Sequence, residues 1–318
     1  MKSKKVSSSE YPLLKQMCAI HAPSGNELGM KQFLLDYIQN HSSSWKHSPK
    51  IIEGEDWQDN LILVFGKPRT AVFAHMDSIG FTVRYGKQLV RIGGPACKNG
   101  FKLVGSDSKG KQEVELLVKQ DKKTGHKSLE YKAKRDFETG TELVFKADWR
   151  ENKTHVQCCY MDNRLGIYNA LKLAEDLKDG VIVFCSWEEH GGGSVSYIQR
   201  YLQKKYKIRQ ALISDISWIS DGVHEGKGPV ISMRDSLIPR RSYLNKLIAI
   251  AKQNNCAFQL EVEESGGSDA KELQMAEYSW DWCFVGAAEQ NVHTPDEKVH
   301  KKDIEGMIKL YKTLLKAL

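Results

Sequence analysis

Glu188 and Glu189 stand side by side directly after the apolar run Val181-Ile182-Val183-Phe184-Cys185-Ser186-Trp187. A charged pair after an apolar strand lies where an α/β sheet opens its ligand crevice. Acidic side chains are seldom buried unless they are paired or bound to metal. One carboxylate that holds a metal beside one that moves a proton is an economical start on a hydrolase. Four other short apolar runs end in the same way. Residues 70–74 lead into His75-Met76-Asp77, 155–160 into Met161-Asp162-Asn163, 210–214 into Asp215, and 282–286 through a short loop into His293-Thr294-Pro295. Each group alone has an ordinary account: His75 as a turn residue, Asp162 as a helix cap, Asp215 as a loop cap, His293 as part of a turn. Five metal-competent groups at five strand ends point instead to a metal centre.

As ligands, His75, Asp162, Glu189, Asp215 and His293 supply two imidazoles and three carboxylates. That set can hold two divalent ions if one carboxylate bridges. Two +2 ions against three −1 carboxylates leave about +1, which favours hydroxide as a further bridging ligand. Imidazole and carboxylate without thiolate suit Zn²⁺ first, with Co²⁺ or Mn²⁺ as competitors. Asp77 is placed to accept the other ring N–H of His75 and fix its tautomer. Glu188 is then the spare carboxylate, free to take a proton from the bound water and return it to a leaving amine. His190, next to the pair, is a weaker candidate for substrate contact.

The elements that must position these groups follow from the hydrophobic pattern. Residues 10–42 read as two helices broken at Pro23-Ser24-Gly25, with Ser24 as N-cap and Glu27 completing a capping box. Residues 61–85 read as a pair of strands with a continuation. From 86 to 155 short alternating runs separated by Gly and Lys clusters predict a small β-domain without a long helix. Beyond 160, helices over 165–177, 194–205, 242–254 and 303–315 alternate with strands over 181–187, 210–214 and 257–262. The expectation is an α/β fold: a mostly parallel mixed sheet with helices on both faces. The catalytic domain is discontinuous, 1–85 and 156–318, and carries the insert 86–155, a candidate oligomerisation module.

Composition sets the bounds. The 318 residues are 41% hydrophobic, enough for a substantial core, and the mean hydropathy of −0.48 is that of a soluble chain. No apolar stretch is long enough to span a bilayer, and Met1 to Ser9 reads as a frayed basic tail rather than a signal. The seven cysteines show no Cys-x-x-Cys spacing and read as reduced thiols of a cytoplasmic protein, with Cys158 and Cys159 adjacent on one strand. The net charge is +7, and much of the lysine excess lies in the tail and in 119–135. That stretch lacks the interleaved aromatics of a nucleic-acid surface and reads as a solvated basic loop. No Walker loop or dinucleotide fingerprint is present.

The sequence resembles the tetrahedral, or glutamyl and deblocking, aminopeptidases of the wider di-metal exopeptidase clan. The matching stretches are Ala22-Pro23-Ser24-Gly25-Asn26-Glu27, Asp59-Asn60-Leu61, the run from Ala74 to Phe81, the run from Asp162 to Gly166, Trp187 to Gly191, Ser214-Asp215 with Gly226-Lys227-Gly228-Pro229, Gly266 to Ala270, and Val292 to Pro295. They occur in family order and cover the chain outside the insert. The resemblance implies that His75 and Asp215 bind one metal, Glu189 and His293 the other, and that Asp162 bridges, with Glu188 as general base. It also implies a cis peptide after the bridging aspartate. The usual second aspartate is here Asn163, and the insert is short and lysine-rich for a module that builds hollow dodecamers.

The function expected from these readings is a cytoplasmic, homo-oligomeric metallo-aminopeptidase acting on short peptides, with no nucleic-acid or membrane partner. The rivals are another di-metal amide hydrolase, a carboxypeptidase or N-acyl deacylase, and a non-catalytic peptide-binding member.

Overall fold

A computed structural model describes residues 9–318 except 121–124 and 126. The expected tail therefore lies outside the described residues apart from Ser9, whose hydroxyl donates to Glu151. The middle of the basic stretch 119–127 lies outside them as well.

The centre of the molecule is an eleven-stranded mixed sheet. Its heart is four strands in the order Gly180–Cys185, Ala71–His75, Gln210–Trp218 and Asp281–Gln290, all parallel. These runs are buried almost without interruption, as expected for parallel strands covered on both faces. Leu61–Phe65 and Lys50–Ile52 extend one side antiparallel. Lys298–His300, His155–Gln157 and Arg150–Glu151 extend the other, also antiparallel. Val230–Arg234 pairs with Asp281–Gln290 and carries Gln259–Val262 as a further edge.

Alternation along each strand splits the core into two layers. Val72, Ala74, Ile182, Phe184, Leu212 and Val285 pack with Leu14, Leu165, Leu171, Leu247 and Leu310, on one face of the sheet. Ala71, Phe73, Val181, Val183 and Ile213 face Val195, Ile198, Leu202 and Leu273 on the other. The closing helix Lys301–Ala317 buries Ile304, Met307, Leu310, Tyr311 and Leu314, an apolar stripe at helical spacing. Each such side chain contributes about 1.5–3 kcal/mol of burial. The α/β sheet with helices on both faces thus forms as the sequence predicts.

The second unit is a closed antiparallel barrel of Gly80–Val83, Gln88–Ile92, Lys102–Asp107, Gly110–Gln120, Lys127–Lys132 and Glu142–Phe145. Phe81, Leu103, Leu116, Tyr131, Leu143 and Phe145 are buried in it. It does not coincide with the interval 86–155. Gly80–Val83 pairs with Gln88–Ile92 across a tight turn, so the continuation of the 61–85 region belongs to the barrel ladder. Arg150–Glu151 and His155–Gln157 pair instead in the large sheet.

Three local expectations also differ. The strand before Cys158 ends at Gln157, so Cys158 and Cys159 lie just beyond it. Asp215 sits inside Gln210–Trp218 rather than at its end, because that strand continues to pair with Asp281–Gln290 through Trp218. Ser24 is not a helix cap. The helix Leu28–His41 starts after Glu27, and Ser24 spends its hydroxyl elsewhere. No helix among the described residues is long and apolar enough to cross a membrane.

Candidate metal centre

The strands carrying His75 and Asp215 and those leading to Glu188 and His293 run in the same direction, so their C-terminal ends share one edge of the sheet. His75 closes Ala71–His75 beside Cys185. Glu188 and Glu189 follow in a short 3-10 turn whose preceding residue, Trp187, is left-handed. Asp162 lies at the start of the helical segment Met161–Ala174, and the Asp162–Asn163 peptide bond is cis. His293, at φ 63°, turns back from the loop after Asp281–Gln290.

All five expected ligands converge. His75 Nε2 lies 3.1 Å from Asp162 Oδ1 and 3.5 Å from Asp215 Oδ2. His293 Nε2 lies 3.3 Å from Asp162 Oδ2 and 3.2 Å from Glu189 Oε2. Asp162 therefore turns one oxygen to each imidazole. The groups resolve into two triads, His75–Asp162–Asp215 and Asp162–Glu189–His293, which share that aspartate. Glu189 Oε1 is buried without a hydrogen-bond partner. An orphaned carboxylate oxygen and paired His/carboxylate triads are a donor set suited to divalent cations, so the residues present fit the expected ions.

The charge state says the same. Without a cation, burial and the neighbouring carboxylates push Asp215 up to about 6 and Glu189 up to about 7. Burial would hold His293 down, but Asp162 and Glu189 outweigh it and raise it to about 11. His75 is likewise raised, by Asp215, Asp162 and Asp77 against its burial. Burial works against ionisation of Asp162, yet the two imidazoles hold its carboxyl well below the usual range.

Asp77 lies behind the ligands. Its Oδ1 is 3.3 Å from His75 Nδ1, an ion-pair separation without hydrogen-bond geometry. It also accepts from the backbone N–H groups of Glu188 and Glu189, at 3.1 and 3.0 Å, and from Ser24 Oγ at 2.5 Å. One buried carboxylate thereby fixes a histidine and the turn that carries both glutamates. The side chain of Glu188 is 3.9 Å from His75 Nε2, and burial raises its carboxyl well above the ordinary range.

Several supports were not legible in the sequence. Glu297 accepts from the backbone N–H of His293 at 2.9 Å and of Asp162 at 3.4 Å, tying one ligand of each type. Fully buried Arg164 donates to the carbonyls of Met76 and Asp77. Asn163 donates to Ser214 O at 2.9 Å and accepts from Gly166 N at 2.8 Å, which anchors the helix start to the Asp215 strand. Glu27 accepts from Gly25 N and, across the fold, from Trp187 N. The barrel also reaches the centre. Gly93 donates to His190 Nδ1 at 2.9 Å, Ala96 N to His293 O, and Gly94 O lies 3.2 Å from His293 Nδ1. A Cβ on Gly93 would come within 2.9 Å of Glu189 O. His190 is thus tied to the barrel loop.

A cavity of about 330 Å³ opens over the centre, lined by Asp162, Glu189, Asp215 and His293, by Glu188, and by a wall from other strands.

Comparison with known proteins gives a consistent picture. The family model described as M42 glutamyl aminopeptidase matches residues 110–310. A curated protein of Acetivibrio thermocellus, named as a candidate aminopeptidase, is 26% identical over 94% of this chain and 96% of its own. The solved aminopeptidase of the archaeon Desulfurococcus kamchatkensis superposes with a TM-score of 0.83 at 20% identity, covering 96% of this chain and 94% of that one. The TET1 peptidase of Pyrococcus horikoshii, described as assembling into a tetrahedron or a large octahedral shell, gives 0.79 at 23% identity over 96% and 99%.

Proposed function

The chain belongs to the M42 glutamyl aminopeptidase family and is an aminopeptidase, and from that premise we propose a di-metal mechanism in which Glu188 moves the proton. The observation that carries it is the pair of triads sharing Asp162. His75 and Asp215 would hold one ion, Glu189 and His293 the other, with Asp162 bridging and Zn²⁺ the best fit to the donors. When bound, the ions would polarise the scissile carbonyl and make water nucleophilic near neutral pH.

The chain's own groups do the rest. Glu188 lines the cavity beside the ligands but belongs to neither triad, so its carboxylate is free to accept a proton from the attacking water. The burial that raises its pKa favours keeping that proton until the leaving amine takes it. Asp77 holds His75 and the Glu188 turn in one rigid frame, so base and ligands keep their spacing.

The substrates are short peptides with free N-termini. The catalytic domain is discontinuous, 1–85 and 156–318, with the interval 86–155, which holds most of the barrel, as its insert. Self-association fits the exposed Leu260 and Val262 on the edge strand Gln259–Val262, and the seven free cysteines fit a reducing, cytoplasmic compartment.

The test is a short-peptide library offered with free and acetylated N-termini, with Zn²⁺, Co²⁺ or Mn²⁺ added, read by mass spectrometry. Stepwise loss of residues from free N-termini alone is the expected result. Cleavage of acetylated members or from C-termini would reassign the chemistry to a deacylase or carboxypeptidase, and no cleavage with any metal would leave a peptide-binding protein.

A further inference from the structure

We infer that the cavity selects peptides whose N-terminal residue carries a long cationic side chain, lysine or arginine; this rests on the aminopeptidase reading. From the ligands the cavity continues to a wall formed by Asp235, Glu261 and Glu263, with Ile216 and Phe284 along it and Trp218 also lining it. No lysine or arginine lines it among the described residues. A residue removed from a chain end must lodge its side chain in the cavity beside the reacting centre, and these acids line that same cavity.

The wall is built rather than merely acidic. Asp235 is 8% exposed and Glu261 7%. Glu261 Oε1 accepts from Ser217 Oγ, and Asp235 Oδ1 accepts from Leu237 N at 2.6 Å. The second oxygen of each is not a fully buried, unpartnered atom, so it is open to the cavity. No lysine, arginine or histidine nitrogen among the described residues lies within 4 Å of the carboxylates of Asp235, Glu261 or Glu263. Adjacent Arg234 turns its Nε to the backbone carbonyls of Asp235 and Glu263 instead.

Keeping an acid largely buried with no cation in contact is costly, and burial accordingly pushes the Asp235 and Glu261 carboxyls up, with Arg234 offsetting part of this at Asp235 and serine hydroxyls part of it at Glu261. A metal ion does not answer this need, because the groups able to hold one among the described residues are the two triads sharing Asp162. An ammonium or guanidinium on an apolar stem does. Its methylenes would lie along Ile216 and Phe284 and its charge would meet the free oxygens. A glutamyl side chain would meet only like charge.

The experiment compares kcat/KM for lysyl, arginyl, norleucyl, glutaminyl and glutamyl coumarin amides on the metal-loaded protein, with calorimetric binding of lysinamide and norleucinamide in parallel. Lysyl and arginyl amides are expected to exceed norleucyl by about tenfold or more, as for a charge-assisted hydrogen bond. Glu261→Gln and Asp235→Asn should each lower the lysyl-to-norleucyl ratio, and the second serves if the first fails to fold. A ratio near one, or a preference for glutamyl amides, would overturn the inference while leaving the hydrolase intact. If no amide is cleaved, the hydrolase reading falls, and lysinamide binding no tighter than norleucinamide would overturn this one as well.

Discussion

The barrel and the ligand edge of the large sheet use the same residue types to opposite ends. On the barrel, acids meet lysine or arginine across neighbouring strands and turns: Lys102 with Glu115, Lys119 with Glu130, Lys146 with Glu113, Arg135 with Asp107. Most of these pairs are substantially exposed, so water screens them and each is worth little. At the sheet edge Asp77, Asp162, Glu189 and Asp215 are buried together, and among the described residues only two imidazoles answer them within 4 Å. The first arrangement is complete as it stands. The second has room for cations to balance it, and burial is what separates the two.

The comparison can be broken most directly at Glu188. Glu188→Gln should lower kcat by about 10²–10⁴-fold, the usual worth of a general base, while metal content measured by mass spectrometry stays at the wild-type level. Turnover near wild type would remove Glu188 from the mechanism.

Removing the metal should give the two regions opposite pH signs. At the sheet edge, folded Glu189 titrates near 7 against an ordinary 4.5, and folded His293 near 11 against 6.5. Raised values contribute stability below the unfolded pKa and lose it as pH rises through the folded one. The chelated protein should therefore lose melting temperature from pH 5 to 8, and saturating Zn²⁺ should blunt that loss. In the barrel, Arg135 beside Asp107 holds its carboxyl near 2 against an ordinary 3.8. Its contribution is present above 3.8 and lost as pH falls through about 2, so Asp107→Asn should flatten only the acid limb. A chelated protein that grows more stable from pH 5 to 8 would contradict the charge state described for the cluster.

A smaller effect is expected from Ser24→Ala, which removes one donor from Asp77. A loss of about 1 kcal/mol should appear as a several-fold drop in kcat/KM with metal retained. An unchanged rate would show that the two backbone donors suffice. The smallest belongs to the barrel surface. Lys102→Ala should change stability by under about 1 kcal/mol and leave kcat alone; a large loss of activity would mean that the barrel acts on the centre beyond its Gly93–Ala96 loop.

The residues that converge at the sheet edge were legible because a strand end is a local signal. An apolar run followed by His, Asp or Glu can be read residue by residue, and strand-end placement held for His75 and for the Glu188-Glu189 pair. It was less accurate for Asp215, since the strand's length depends on a partner 71 residues away in sequence, Gly286 opposite Asp215. Ser24 and Glu27 have the spacing of a capping box, yet Ser24 bonds Asp77 and Glu27 bonds Trp187, contacts that no local pattern encodes. The barrel's bounds slipped for a related reason. Alternation marks a strand but does not say which sheet it joins, and cross-strand registers assigned 80–83 to the barrel and 150–157 to the large sheet.

By itself the sequence determined the types of element, the two-layered core and the identity of the groups able to bind metal, because hydrophobic period and strand-end chemistry are carried by neighbouring residues. Tertiary structure alone decided how the groups are shared. It gave Asp162 one oxygen for each imidazole, set Asp77 behind both His75 and the Glu188 turn, and brought Asp235, Glu261 and Glu263, from the Val230–Arg234 and Gln259–Val262 strands and their ends, into one cavity with Asp162, Glu189, Asp215 and His293. These relations depend on distances between segments far apart in the chain, and only packing fixes such distances.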